Sequence, residues 1–138
     1  MGLSTFCPVE EFMFYASIVF VVNKKDEVLI LKRSNRGSFP GVWALPGGKG
    51  EPGESPEETA VREVMEETQI QLSLDSLLFL HKMVTGEKEF YFFFSKVDNQ
   101  KPVIDEEHED WLWIDKGGVE EACGIPTDPE IWIKFRAL

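Results

Sequence analysis

Apolar and polar positions fall into short blocks along the chain. Tyr15 to Val22 is rich in β-branched and aromatic residues and ends at the turn-like Asn23-Lys24-Lys25-Asp26, after which Val28 to Leu31 forms a second apolar run. The pattern predicts a pair of strands. Leu77 to Val84 and Phe90 to Val97 predict two more, joined across Gly86-Glu87-Lys88, and Trp111 to Ile114 predicts another. Residues 34–53 are dense in Gly and Pro, which suits loop or short extended structure, and so long an irregular stretch in a compact domain is more often functional than idle. Ser55-Pro56-Glu57-Glu58 then opens a helix, with Ser55 as N-cap, Pro56 at the first helical position and Glu58 placed to close a capping box. Asp128-Pro129-Glu130 opens a last helical stretch by the same logic. Strands and helices are mixed without the strict alternation of a doubly wound sheet, and no internal repeat is visible.

The helix of residues 55–68 carries the sharpest pattern. At about 100° per residue, Val61, Val64, Met65 and Thr68 fall on one stripe and Glu63, Glu66 and Glu67 cluster opposite, so one face is expected to pack and the other to gather carboxylates. Like charges three and four apart repel by ~0.2–0.5 kcal/mol per pair in an isolated helix. Arg62 reaches Glu58 or Glu66 but cannot neutralise the whole set. A hard divalent cation turns that repulsion into coordination, and Mg²⁺ favours a few carboxylates, retained waters and phosphate oxygens. The plain alternative is a solvated helix face in a Glu-rich protein.

Composition narrows the choices. The 138 residues suit one domain, 1–138, and 43% hydrophobic content fits a folded globular chain. A net charge of -11 argues against a broad grip on DNA or RNA, while a small phosphorylated ligand stays possible where cations mediate. Cys7 and Cys123 match no metal-ligand spacing and make no disulfide framework, and they read as two reduced thiols of a cytoplasmic protein. Met13 to Val22 is too short to span a bilayer and lacks the flanks of a signal peptide, so it reads as a buried strand and no membrane partner is expected. The Met1-Gly2 start lacks the Ser or Thr at position 6 that myristoylation requires.

Gly48, five residues, Glu54, seven residues, and then Arg62-Glu63-Val64-Met65-Glu66-Glu67-Thr68-Gln69-Ile70 closely resemble the Nudix box. That signature specifies residue types and spacing over about a sixth of the chain. One position departs, because the family has Gly where this chain has Gln69; a helix ending there in the left-handed conformation costs a non-Gly residue on the order of 1 kcal/mol. The approach, Gly41-Val42-Trp43-Ala44-Leu45-Pro46-Gly47-Gly48-Lys49, resembles the MutT-type branch. The resemblance implies an α+β fold, an α/β/α sandwich in which a mixed β-sheet is flanked by helices and the box forms loop, helix, loop.

The resemblance also implies roles. Divalent cations, Mg²⁺ with Mn²⁺ as the alternative, are expected on Glu63, Glu66 and Glu67 and on the backbone carbonyl of Gly48. Arg62 joins the catalytic set as the group that orients the carboxylates, with Glu54 as its partner. The general base is either Glu67 or an acid of the Asp105-Glu106-Glu107-His108-Glu109-Asp110 loop, Glu106 or Glu107, for which a solvated loop is the plain alternative. His108 is either a phosphate contact or a surface residue. Arg33, at the end of the second strand, matches a substrate-phosphate contact, against a plain surface arginine. Asp128, in Pro126-Thr127-Asp128-Pro129, matches a reader of the purine edge, against the ordinary N-cap that Asp-Pro-Glu favours. Leu45 and Phe90 to Phe94 either wall a base pocket or fill the core.

Two other subgroups of the family carry a downstream proline or tyrosine marker. The nearest here, Pro102 and Tyr91, lie too far from the box. The expectation is a pyrophosphohydrolase of small nucleoside triphosphates, releasing nucleoside monophosphate and pyrophosphate, with 8-oxo-dGTP as a candidate substrate. The alternatives are a nucleotide-sugar hydrolase and a non-catalytic Nudix-fold nucleotide sensor, and a plain acidic interaction domain leaves the long motif unexplained. Monomer and homodimer are both open, and Trp111 and Trp113 suit either an interface or the core.

Overall fold

The computed structural model describes residues 14–124 and 128–138. Cys7, Pro126 and Thr127 lie outside the described residues, so the reduced thiol expected of Cys7 and the approach to Asp128 are not addressed by it.

The elements in chain order are β1 (Phe14–Val22), β2 (Glu27–Arg33), β3 (Trp43–Ala44), β4 (Gly47–Lys49), α1 (Pro56–Thr68), a 3₁₀ turn (Leu74–Ser76), β5 (Leu78–Thr85), β6 (Lys88–Lys96), β7 (His108–Asp115), α2 (Val119–Ala122) and α3 (Pro129–Arg136). Strands β3, β2, β1, β6 and β5 form one mixed sheet in that order, with β4 added to β1 and β7 to β2. The strand β1 is central, and its residues are buried on both faces, which is why it reads as an almost unbroken apolar run. Val19 and Val21 face α1, packing with Leu29, Leu31, Ala60, Val64 and Phe93. Phe20 and Val22 face α3, packing with Ile30, Phe92, Ile131, Trp132 and Phe135. The result is the expected α/β/α sandwich.

The hairpin β5–β6 forms as the pattern predicted, from Leu78↔Phe94 to Thr85↔Lys88, with Gly86 at φ 62 in the turn. The expected pairing of the first two strands holds only at their shared turn, Val22↔Val28. Beyond it they part. The main partner of β1 is β6, in parallel from Phe14↔Lys88 to Val22↔Lys96, and β2 pairs with β7 from Glu27↔Asp115 to Arg33↔His108. The Gly- and Pro-rich stretch supplies the wedge between them: β4 lies antiparallel on β1 (Ala16↔Lys49, Ser17↔Gly48, Ile18↔Gly47), and the Val19 amide donates to the Pro46 carbonyl at 2.9 Å. That placement brings Gly47 and Gly48 beneath α1.

Candidate active site

Local chemistry sets the start of α1. The Ser55 hydroxyl accepts the Glu58 amide, the Glu58 carboxylate accepts the Ser55 amide, and Pro56 opens the first turn. The helix stops at Gln69, whose φ of 60 is left-handed and whose amide donates to the Met65 carbonyl. The missing box glycine therefore changes the cost of the termination, not its geometry.

The buried residues of α1 are Thr59, Ala60, Val64, Glu67 and Thr68. This corrects the expected division of the helix. Met65 and Val61 are half-buried at the flank, and Glu67 belongs with the packing side, where it is only 5% exposed. The physical reason is angular: Glu67 lies about 60° from Val64 around the helix axis, not opposite it. Its carboxylate accepts the Gly47 amide at 3.0 Å.

Glu63 is half-buried and extends over Gly48, where a Cβ would meet its carboxylate at 2.4 Å. Glu66 is exposed. Arg62 ties these groups together. Its Nε donates to Glu54 at 2.6 Å, its guanidinium donates to Glu63 at 2.9 Å and Glu66 at 3.2 Å, and it also donates to the Lys49 carbonyl at 3.0 Å. The partnership of Arg62 with Glu54 is thus present as expected, and the reach to Glu58 is not used. Glu54 also takes the Thr59 hydroxyl at 2.8 Å and the Glu51 amide at 2.9 Å.

The electrostatics divide the carboxylates. The Arg62 hydrogen bond holds Glu54 at about 2, and Glu54 in turn raises Arg62 further above its ordinary value. Burial pushes Glu63 up, against the pull of Arg62. Burial pushes Glu67 well above its ordinary value; the Gly47 amide opposes that rise, while Glu63, Asp105 and Glu107 add to it. Glu67 therefore sits in negative surroundings with one amide as its counterweight.

Among the described residues no three His, Cys, Asp or Glu side chains are already gathered in a metal-ligating arrangement. The donors nonetheless fit a hard divalent cation. Two carboxylates whose charged forms are disfavoured by burial stand on adjacent glycines, Glu63 in the space that a Gly48 Cβ would fill and Glu67 on the Gly47 amide, a combination that a cation stabilises and an isolated helix face lacks.

The acidic loop comes to the same region and is not simply solvated. Ser34 fastens it, donating its amide to the Glu107 carbonyl at 2.9 Å and its hydroxyl to the Glu106 carbonyl at 2.8 Å. The Glu106 carboxylate pairs with Arg36 at 3.3 Å. Glu107 has no such partner among the described residues, and its charge reaches Glu67. His108 is not a surface residue: its side chain is 7% exposed and its Nδ1 lies 2.7 Å from Asp105.

The family is decided by a match to the NUDIX domain over residues 13–131. The chain belongs to the NUDIX family. It is 34% identical over 89 residues to the "Putative 8-oxo-dGTP diphosphatase" of Bacillus subtilis (strain 168), covering 64% of this chain and 57% of that one. The chain thus spans little more than half the length of that relative. It is 38% identical over 107 residues to the nucleoside triphosphatase NudI of Escherichia coli O1:K1 / APEC, covering 68% of this chain and 76% of the relative. A solved structure of MutT, from work on Aliivibrio salmonicida and Vibrio cholerae, superposes with a TM-score of 0.74 at 23% identity, covering 91% of this chain and 98% of the other. The Nudix relatives are of the MutT type, in agreement with the approach to the box. Nudix hydrolases generally use divalent metal ions and act on small nucleotides. No helix among the described residues is long and apolar enough to cross a membrane.

The remaining candidates in this Nudix domain separate. Arg33 lies at the end of β2, at a register shift opposite His108. It donates to the Ser38 carbonyl at 3.3 Å, pairs with no carboxylate among the described residues, and has a buried Nε without a partner. Leu45 is 6% exposed and packs in the core cluster with Phe20 and Phe92, which is the core alternative for it. Phe92 is likewise core. Trp111 and Trp113 pack against the core on the α1 side. Asp128 caps α3, accepting the Glu130 amide at 3.0 Å, and its second oxygen lies 3.4 Å from His81. His81, which also contacts Lys134 at 3.0 Å, was missed because nothing in a strand pattern shows which residue a distant helix will cover. Tyr15, Ser17 and Ser34 were missed for the same reason; each holds a backbone carbonyl that is remote in sequence.

Proposed function

We propose that the chain is a divalent-cation-dependent pyrophosphohydrolase that splits small nucleoside triphosphates into nucleoside monophosphate and pyrophosphate. The observation that supports it most is the buried Glu67, held by Gly47 and surrounded by further negative charge above the glycine cradle of the box. Glu63, Glu66, Glu67 and the Gly48 carbonyl would hold Mg²⁺ or Mn²⁺. Such a cation, when bound, neutralises phosphate charge and makes a neighbouring water more acidic.

The chain's own groups do the rest. Gly47 fixes one oxygen of Glu67, and Arg62 sets the orientation of Glu63 and Glu66 while Glu54 anchors it from behind. Arg33 has donor capacity to spare for the substrate phosphates. Glu107 is the better of the two loop acids for taking the proton of the attacking water, because Arg36 already occupies Glu106. Asp128, steadied by His81, is the candidate reader of a base edge. An oxidised purine such as 8-oxo-dGTP is the leading substrate, supported by the name of the Bacillus subtilis relative.

The test is turnover with and without Mg²⁺ on canonical and oxidised nucleoside triphosphates, nucleotide sugars and ADP-ribose, with product analysis. Release of pyrophosphate from a triphosphate, abolished by Glu67→Gln, is expected. Turnover of nucleotide sugars alone would overturn the substrate, and binding without turnover of any compound would make the domain a sensor.

A further inference from the structure

The Nudix box does not include Tyr15, yet the loop that carries the box into α1 is hung from it. Tyr15 and Ser17 share the face of β1 that looks toward α1. The Tyr15 hydroxyl lies against the carbonyls of Glu54 and Glu51, the two ends of the turn that precedes the helix. Its ring covers Gly50 so closely that a Cβ there would sit 2.0 Å from a ring carbon. The backbone adds one bond, Gly50 amide to Tyr15 carbonyl, at 2.9 Å.

What the turn carries is Glu54, and Glu54 holds Arg62, which in turn holds Glu63 and Glu66. A continuous hydrogen-bonded path therefore runs from the Tyr15 hydroxyl to two of the three box carboxylates. Within the turn, Glu51 and Glu54 bond each other through the Glu54 amide at 3.0 Å and the Glu51 amide at 2.9 Å, so the turn is closed by its own hydrogen bonds. The side-chain hydroxyl that registers this unit on the sheet is that of Tyr15. Ser17 acts one step further along, donating to the Pro56 carbonyl at 2.7 Å, and thereby holds the first turn of α1 and not the Glu54 turn.

We infer that Tyr15 is a positioning residue for the cation site: its hydroxyl fixes the Glu51–Glu54 turn and, through Glu54 and Arg62, the orientation of Glu63 and Glu66. This rests on the reading that those glutamates hold a divalent cation. Groups that orient ligands without touching the metal commonly matter to it almost as much as the ligands do.

Tyr15→Phe keeps the ring over Gly50 and removes only the hydroxyl. Mn²⁺ binding to the nucleotide-free protein, read by water-proton relaxation, is expected to weaken on the order of tenfold. Under limiting Mg²⁺, kcat is expected to fall with the KM for nucleotide little changed. Combining Tyr15→Phe with Glu54→Gln is expected to add little to Glu54→Gln alone, because both act on one path. Ser17→Ala, which removes a hydroxyl from the same face, is the structural control and is expected to lower the melting temperature without shifting Mn²⁺ affinity. Unchanged Mn²⁺ binding in Tyr15→Phe, full additivity with Glu54→Gln, or an equal Mn²⁺ shift in Ser17→Ala each overturns the inference. Weakened Mn²⁺ binding in a protein whose unmutated form turns over no nucleotide would leave the positioning role standing and remove the proposed reaction instead.

Discussion

The Glu67 carboxylate lies 3.0 Å from the Gly47 amide, and that contact joins the last turn of α1 to the strand that enters the box. One neutral donor is a weak counterweight for a buried ionised carboxylate, and the neighbouring acids make its charge more costly.

The first prediction concerns that cost. In the metal-free protein the native state keeps the Glu67 proton to higher pH than the unfolded chain does, so its contribution to stability declines as pH rises from 4.5 toward the raised native value. Glu67→Gln keeps an acceptor for Gly47 and cannot ionise. In EDTA it should melt above the unmutated protein at neutral pH, with the gap closing as pH falls toward 4.5. Mg²⁺ should raise the melting temperature of the unmutated protein only. A gap that does not change with pH would show that the fold does not raise the Glu67 pKa above its unfolded value.

Glu54 should behave in the opposite sense. Its native pKa is held at about 2 by the Arg62 hydrogen bond, so its stabilising effect is present above 4.5 and is lost as pH falls through the native value. Glu54→Gln should therefore be destabilised at pH 7 and approach the unmutated protein between 4.5 and about 2, as read from denaturant midpoints across that range. Equal destabilisation at all pH values would remove the ion pair as the cause.

Gln69 gives a prediction about folding alone. It is exposed, it stands at φ 60, and its side chain makes no hydrogen bond to the described residues. Gln69→Gly should add about 1 kcal/mol, raising the melting temperature by roughly 3–5 °C, with turnover unchanged. A loss of stability would mean that the unfolded-state entropy of glycine outweighs the relief of strain.

The start of α1, its left-handed end and the Glu54–Arg62 partnership were legible in the sequence because each depends on residues within a few positions or within one motif. Glu67 was grouped with Glu63 and Glu66 opposite the packing stripe, although on the helical projection it stands at the border between the two faces. Its angular position beside Val64 puts it on the packed side, where the carboxylate is kept by a glycine amide twenty residues away in the chain. The parallel pairing of β1 with β6 was not legible either. Side-chain alternation tells which residues of a strand are buried, not which strand lies beside it. The same limit hid Tyr15 and Ser34, whose partners are carbonyls that no side-chain pattern marks.

Gly47 and Gly48 allow the cradle to be separated from the fold. A Cβ on Gly47 would sit 2.2 Å from the Ser17 carbonyl oxygen and 2.8 Å from the Ile18 Cα, both backbone atoms of the central strand, so Gly47→Ala must push β4 off β1 and should cost about 1–3 kcal/mol. The three atoms nearest a Cβ on Gly48 all belong to the Glu63 carboxylate, the end of a side chain that can swing aside by giving up its bond to Arg62. Gly48→Ala should therefore melt within about 0.5 kcal/mol of the unmutated protein while losing most Mg²⁺-dependent turnover, because Glu63 no longer lies over the cradle. Melting curves paired with rates on one triphosphate decide it. Equal melting losses in the two variants would make the Glu63–Gly48 contact ordinary packing, and a Gly48→Ala enzyme with full activity would take Glu63 out of the cation site.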